Sequence, residues 1–171
     1  GIKEVAITTN GSLLNNMAKD LKSAGLDRIN LSLDSLDEET FERITRGHKL
    51  SDVKAGLYSA IEAGFEKIKI NTVLINNIND HEIGDFINLT KENHDVRFIE
   101  LMPIGKSALF AKKHFLSAQE ILSRFPELER QEYFDPSSPA KYYKMPEHRF
   151  SVGLIRPISC NFCSNCNRLR L

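Results

Sequence analysis

Arg28-Ile-Asn-Leu-Ser-Leu-Asp34 is the stretch that decides the fold. Its residues alternate without a break: Arg28, Asn30, Ser32 and Asp34 fall on one face, Ile29, Leu31 and Leu33 on the other. A period of two is a strand period. Lys67 to Val73 repeats the pattern, with Lys67, Lys69 and Asn71 opposite Ile68, Ile70 and Thr72. Working outward, Glu4 to Thr9 is β-branched and reads as an earlier strand, and Val96 to Met102 as a fourth. Helical spacing fills the gaps. Leu13 to Ala24 carries Leu14, Met17, Ala18 and Leu21, and Gly25 closes it. A short helix follows Asp37 with Phe41 and Ile44 on one face. Another runs from about Asp52 to Ala63, with Val53, Leu57, Ala60 and Ile61 as its stripe and Gly64 as its stop. Ile83, Phe86 and Ile87 mark a further one after Asp80.

Strands separated by helices pair in parallel, because each crossover returns the chain to the same edge. An open doubly wound sheet and a barrel-like (β/α) array both fit. Parallel strands covered on both faces read as continuous apolar runs. Here one face is polar on successive strands. That predicts a curved sheet with helices outside and a wet or ligand-filled concave side; an exposed sheet face is the plainer alternative. After Gly105 the pattern changes. Ser117-Ala-Gln-Glu120 is a capping box opening a helix through Ile121, Leu122 and Phe125. Leu128 to Phe134, Lys141 to Met145 and Phe150 to Ile155 read as short strands, the first two flanking a turn at Asp135-Pro-Ser-Ser-Pro139. The expected division is 1–105 for the strand–helix units and 106–171 for a β-rich extension ending in a cysteine-bearing loop.

The chain has 171 residues, with 23 Lys+Arg balanced by 23 Asp+Glu. Zero net charge argues against a dedicated nucleic-acid binder. No apolar run approaches the roughly 18 residues of a membrane span, so no membrane partner is expected either. The sequence starts at Gly1 and carries all three cysteines, Cys160, Cys163 and Cys166, in its last twelve residues. It therefore reads as a piece of a larger protein. Clustered thiols without a secretory signal point to a reducing cytoplasm and to metal or redox chemistry.

In parallel (β/α) barrels functional residues gather at the C-terminal ends of strands. Those ends hold Thr8, Thr9 and Asn10, then Ser32 and Asp34, then Lys69 and Asn71, then Glu100 and Met102. Taken together they suit a polar ligand with phosphate and ribose groups. Taken singly they have plainer readings: Thr9-Asn10-Gly11 as a turn, Ser32 and Asp34 as helix caps, Met102 as core. Lys69 is harder to dismiss, because an interior-strand lysine needs a partner or a charged ligand. Arg97 opens the next strand and poses the same question, with snorkelling as the plain answer. Cys160, Cys163 and Cys166 make a C-x2-C-x2-C run. Its spacing suits zinc, an iron–sulfur cluster or a redox pair, and it leaves a four-ligand set incomplete. Arg168 and Arg170 beside it form either an anion clamp or a solvated tail. The five histidines, His48, His81, His94, His114 and His148, show no metal spacing and read as surface residues. No Walker loop, G-x-G-x-x-G or nucleophile elbow is present.

One family joins these pieces. Thr8-Thr-Asn-Gly11, Arg28 to Asp34, Lys69-Ile-Asn-Thr-Val73, Arg97-Phe-Ile-Glu-Leu-Met-Pro-Ile-Gly105, Ala140-Lys-Tyr-Tyr143 and Phe162-Cys-Ser-Asn-Cys-Asn-Arg-Leu-Arg170 follow in its order and approximate spacing. The chain resembles, over essentially its whole length, the family of molybdenum cofactor biosynthesis protein A, the radical S-adenosylmethionine GTP 3′,8-cyclases. The resemblance implies an α/β fold, a partial (β/α)6 radical-SAM barrel with a β-rich C-terminal extension. It implies a first 4Fe–4S cluster that cleaves S-adenosylmethionine to a 5′-deoxyadenosyl radical. It implies hydrogen abstraction from the ribose of GTP, rearrangement to the cyclic precursor of molybdopterin, and a second 4Fe–4S cluster whose open iron binds the purine. Position by position, Cys163 and Cys166 match ligands of that second cluster. Thr8, Lys69, Arg168, Leu169 and Arg170 match GTP-binding positions, Ser32 and Met102 match positions that hold S-adenosylmethionine, and Arg97 matches an active-site arginine.

Three departures stand out. The C-x3-C-x2-C loop of the first cluster is not in this sequence, nor is the Gly-Gly-Glu-Pro-like strand after it. The third ligand of the second cluster would follow Leu171. Cys160 is a bystander to the pattern. The expectation is thus GTP and S-adenosylmethionine as partners of the full-length parent, and no turnover by these 171 residues alone. Exposed sheet edges add self-association, as a homodimer, to the expectations. Two other readings stay open: another radical S-adenosylmethionine enzyme with a C-terminal auxiliary cluster, and a non-catalytic, metal-stapled nucleotide-binding module.

Overall fold

The computed structural model describes residues 1–91, 94–132 and 138–159. The chain forms two compact units, Gly1–Thr72 and Val73–Leu171.

In the first unit the elements run β1 (Ala6–Thr9), α1 (Leu14–Ser23), β2 (Arg28–Ser32), α2 (Glu38–Thr45), α3 (Leu50–Glu62) and β3 (Ile68–Leu74), of which residues 68–72 belong to this unit. β1 pairs with β2 and β2 with β3, both in parallel. The alternation in β2 is the reason: Ile29, Leu31 and Leu33 are buried, as are Ile68, Ile70 and Thr72 of β3, while their neighbours stay partly open. The one polar member of the buried set, Thr72, satisfies its hydroxyl by donating to the carbonyl of Leu33 at 2.8 Å. α2 starts where its sequence says it should, with the Asp37 carboxylate accepting from the Thr40 amide at 2.8 Å.

The helix stripes differ from expectation in two respects. α1 buries Leu14 and Ala18 but leaves Met17 46 % exposed. α3 buries Leu50, Val53, Gly56 and Ala60, whereas Ile61 is 45 % exposed. Gly56 explains the rotation. It lies against the turn between β1 and α1, where a Cβ would collide with the carbonyl oxygen of Gly11 and sit 3.0 Å from Cβ of Leu14. Gly11 has φ of +80°, and a side chain there would run into Leu31 and Val53. The helix therefore presents its small residue, and not its largest ones, to the turn that leads out of β1.

The second unit contains α4 (Ile83–Asn88, after a 3-10 turn at Asp80–Glu82), β4 (Asp95–Glu100), α5 (Ala108–Lys113), α6 (Ala118–Arg124), β5 (Glu129–Arg130), β6 (Ala140–Lys144) and β7 (Val152–Ile155). β4 pairs with β7 in parallel, β7 with β6 and β6 with β5 antiparallel. The fold class is α/β with mixed strand pairing. Phe86 of α4 meets Phe98 of β4 edge to face, centroids 6.2 Å apart, at the centre of this core. Ser117 and Glu120 form the reciprocal capping box read from the sequence. The expected strand Leu128 to Phe134 is reduced to Glu129–Arg130, and residues 133–137 lie outside the described set.

Two of the histidines are not surface residues. His94 and His148 are buried. His148 is held against α4, its Nδ1 2.7 Å from the hydroxyl of Thr90. That hydroxyl spends its single proton on the carbonyl of Ile87, also at 2.7 Å, so Nδ1 of the ring must be the donor.

Candidate functional site

The polar face of the first unit is ordered by strand register. Thr8 stands opposite Asn30, and Asn30 opposite Lys69, so the three form one row across β1, β2 and β3. Ser32 and Asn71 make the next row. The Nδ2 of Asn30 approaches the Thr8 hydroxyl at 3.4 Å. The side-chain carbonyl oxygens of Asn30 and Asn71 are buried and, among the described residues, have no hydrogen-bond partner. Two unsatisfied acceptors on one small face are unusual, since such a group costs about 1–3 kcal/mol. Sequence reasoning passed over Asn30 as a site residue; its signal was present in the alternation of β2.

Past the end of β1, Asn10 accepts from both the amide and the hydroxyl of Ser12, at 3.2 and 3.0 Å, which shapes the turn after Thr9. The same turn borders a small cleft lined by Asn10, Ser12, Ser32, Asp34 and His48 together with the apolar Phe41 and Val53. Thr8, Ser32 and Lys69 are thus brought onto one face, and Ser32 also lines this cleft.

In the second unit, Arg97 lies on the half-exposed face of β4, opposite Gly153 of β7. Its Nε donates to the phenol oxygen of Tyr142 at 3.1 Å. Met102 follows β4 in a loop, its carbonyl accepting from the Ile104 amide at 2.9 Å, and is 42 % exposed. Its chain neighbours Leu101 and Pro103 line an open apolar cleft with Leu109, Phe115 and Ile158.

Glu100, at the end of β4, faces the other way from Arg97 and is 3 % exposed. Its Oε1 accepts from the amide of Ala118 at 3.1 Å and from the hydroxyl of Ser159. Its Oε2 accepts from the amides of Ile158 and Ser159 at 3.1 and 2.9 Å. This carboxylate is therefore a clasp between β4, the start of α6 and the chain just before Cys160.

Cys160, Cys163, Cys166, Arg168, Leu169 and Arg170 lie outside the described residues. Among the described residues no group of three or more His, Cys, Asp or Glu side chains could hold a metal. No helix among them is long and apolar enough to cross a membrane.

Comparison with known proteins divides along the chain. Residues 94–171 match the family Molybdenum Cofactor Synthesis C, and residues 1–90 match the Radical SAM superfamily. A protein named GTP 3′,8-cyclase from Peptoclostridium acidaminophilum is 51 % identical over 173 residues, covering 100 % of this chain and 53 % of the relative. Proteins of the same name from Alkaliphilus oremlandii (51 % identical, 100 % of this chain) and Clostridium botulinum strain Langeland (48 %, 99 % of this chain) are likewise covered over 53 % of their length. The chain spans about half the length of the curated relatives it matches. The parallel β1–β2–β3 arrangement, the polar strand ends and the superfamily match over more than half of the residues agree, and the chain belongs to the radical SAM superfamily.

Proposed function

We propose that this chain is the central and C-terminal part of a radical S-adenosylmethionine GTP 3′,8-cyclase of molybdenum cofactor biosynthesis. The observation that carries the reading is the polar strip Thr8–Asn30–Lys69 with Ser32–Asn71, set in register along parallel strands whose opposite face is core. Its two buried amide oxygens without partners fit a ligand layer that brings donors. Relatives named GTP 3′,8-cyclase, half identical along the whole chain, support the substrate.

In this reading the strand–helix units 1–105 contribute to a partial (β/α)6 barrel, and 106–171 are its extension. Thr8 and Lys69 bind GTP, the lysine as a point charge for phosphate and the threonine through its hydroxyl. Ser32 and Met102 hold S-adenosylmethionine, by hydrogen bonding and by thioether contact respectively. Arg97 acts on the substrate as a fixed guanidinium. Arg168, Leu169 and Arg170 complete the GTP contacts. Cys163 and Cys166, by donor type and spacing, suit an iron–sulfur cluster. When bound, S-adenosylmethionine with its reduced cluster supplies one-electron chemistry. The chain's own residues hold the nucleotide, neutralise its phosphates and fix its orientation. The same reading makes the parent a cytoplasmic enzyme, with a homodimer as its assembly.

The test uses the full-length parent, reconstituted anaerobically with iron and sulfide. GTP, S-adenosylmethionine and reductant should yield a cyclised nucleotide detectable by mass spectrometry. Lys69→Ala should lower kcat/KM for GTP about 10- to 100-fold, the range of a charged hydrogen bond. A competent preparation that leaves GTP unchanged, or a Lys69→Ala variant at the wild-type rate, would refute the reading.

A further inference from the structure

We infer that Tyr142 is the positioning residue for Arg97, and that Gly153 exists to let the two meet. The inference rests on the reading of Arg97 as a substrate-facing arginine. Strand register sets the geometry. Arg97 of β4 pairs with Gly153 of β7, and Gly153 pairs with Tyr142 of β6. The row therefore has a long cation at one end, a phenol at the other and no side chain between them. Adjacent strands lie about 4.8 Å apart, so residues two strands away touch only if the middle position is empty. Here it is empty, and Nε of Arg97 reaches the Tyr142 oxygen at 3.1 Å.

The gap is closely fitted. A Cβ on Gly153 would stand 3.0 Å from Cγ of Arg97, 3.3 Å from Cε1 of Tyr142 and 3.3 Å from Cβ of Ala140. φ at Gly153 is not in the left-handed region, so backbone conformation does not demand glycine there; the crossing side chains do. The arginine stem thus lies over the glycine, and the tyrosine, itself buried, fixes its direction. Among the described residues Nη1 and Nη2 of Arg97 have no hydrogen-bond partner. Holding a guanidinium by Nε leaves its two-nitrogen end for a bidentate acceptor such as a phosphate. Fixing it in advance removes rotamer entropy that the ligand would otherwise have to overcome.

The experiment is a double-mutant cycle in the full-length parent, read in steady-state kinetics with GTP. Tyr142→Phe keeps the ring and removes the oxygen. It should lower kcat/KM about three- to tenfold, the size of one hydrogen bond, with the thermal midpoint lowered by only a few degrees. Arg97→Ala should cost more. Adding Tyr142→Phe to Arg97→Ala should cost nothing further, because the phenol would have nothing left to position. Gly153→Ala is the second route, displacing the arginine stem without touching either functional group, and should move kcat/KM in the same direction. An Arg97→Ala variant at the wild-type rate would remove the arginine's assigned role and this inference with it. Arg97→Ala impaired but Tyr142→Phe and Gly153→Ala at the wild-type rate, or the two substitutions additive, would overturn the positioning role alone.

Discussion

Glu100→Gln should destabilise the second unit by about 3 kcal/mol, although it changes one oxygen to nitrogen in a side chain of the same shape. The carboxylate accepts four hydrogen bonds: Ala118 N–H and Ser159 O–H on one oxygen, Ile158 N–H and Ser159 N–H on the other. An amide has only one oxygen. If its nitrogen replaces Oε2, two backbone donors face an NH2 group. If it replaces Oε1, the Ser159 hydroxyl can rotate and accept, and only the Ala118 amide is stranded. The second arrangement is cheaper. It still costs about 1–3 kcal/mol for the stranded donor, plus about 1–2 kcal/mol because bonds to a neutral acceptor are weaker than bonds to a charged one. With urea m-values of about 1–3 kcal/mol per molar, the unfolding midpoint should fall by about 1–3 M. Hydrogen exchange should quicken most at the stranded Ala118 amide, less at Ile158 and Ser159, whose acceptor is now a neutral oxygen, and stay unchanged at Ile29, which belongs to the first unit. A midpoint within 0.3 M of wild type (about 0.5 kcal/mol), with exchange unaltered at Ala118, would show that the clasp holds nothing.

Two further outcomes follow from the packing. Gly56→Ala should destabilise by about 1–2 kcal/mol in urea denaturation: alanine gains about 1 kcal/mol in helix propensity, but overpacking against Gly11 and Leu14 costs more. A more stable variant would mean that α1 and α3 separate freely. His148 should make stability pH-dependent. Burial pushes its imidazole below the usual value, the Lys91 cation adds to that, and the Ile87 carbonyl and Glu147 only partly oppose it. Burial lowers His94 as well, against the pull of Asp95. A base with a lowered native pKa binds fewer protons folded than unfolded. Its contribution is therefore complete above the unfolded value of about 6.5 and is lost as pH falls from there through the native value. Urea midpoints should drop between pH 7.5 and 5.5 (roughly one unit either side of that value), and His148→Gln should flatten part of the slope. A slope of opposite sign would refute the assignment.

Local features of this chain are legible, and contacts made at a distance are not. The face pattern of Arg28 to Asp34 survives intact, because alternation in a strand is a property of neighbours. The Asp37 cap and the Ser117–Glu120 box survive for the same reason. The stripe of α3 was misjudged because Gly56 looks like a weak helix residue until the turn at Gly11 is seen against it. α5 carries no capping signal and leaves Leu109 84 % exposed, so no periodicity announced it. Arg97 and Tyr142 are separated by 45 positions, and their contact exists only because β7 is inserted between their strands. His148 is buried by a threonine 58 positions away. Of the candidate site, Thr8, Ser32 and Lys69 could be read from strand ends and Asn30 from the alternation of β2; Tyr142 and Gly153 needed the register.

The polar strip is a poor choice if stability were its purpose. Parallel strands are most stable when both faces are apolar, and the buried face of β2 and β3 shows that this sequence can supply such residues. On the opposite face it instead places hydroxyls, amides and a lysine, and leaves the Asn30 and Asn71 oxygens buried and unbonded. Each of those oxygens costs about 1–3 kcal/mol against a net folding stability of about 5–15 kcal/mol. Violations of local packing rules cluster where function requires them. Arg97 follows the same logic in the second unit, where a glycine replaces a strand-forming residue so that a guanidinium can be held by its Nε. A chain selected only to fold would have filled Gly153 and paired Asn30. Asn30 stands beside Lys69 and Gly153 lies beneath Arg97, so both sacrifices fall next to residues that the proposed function assigns to binding.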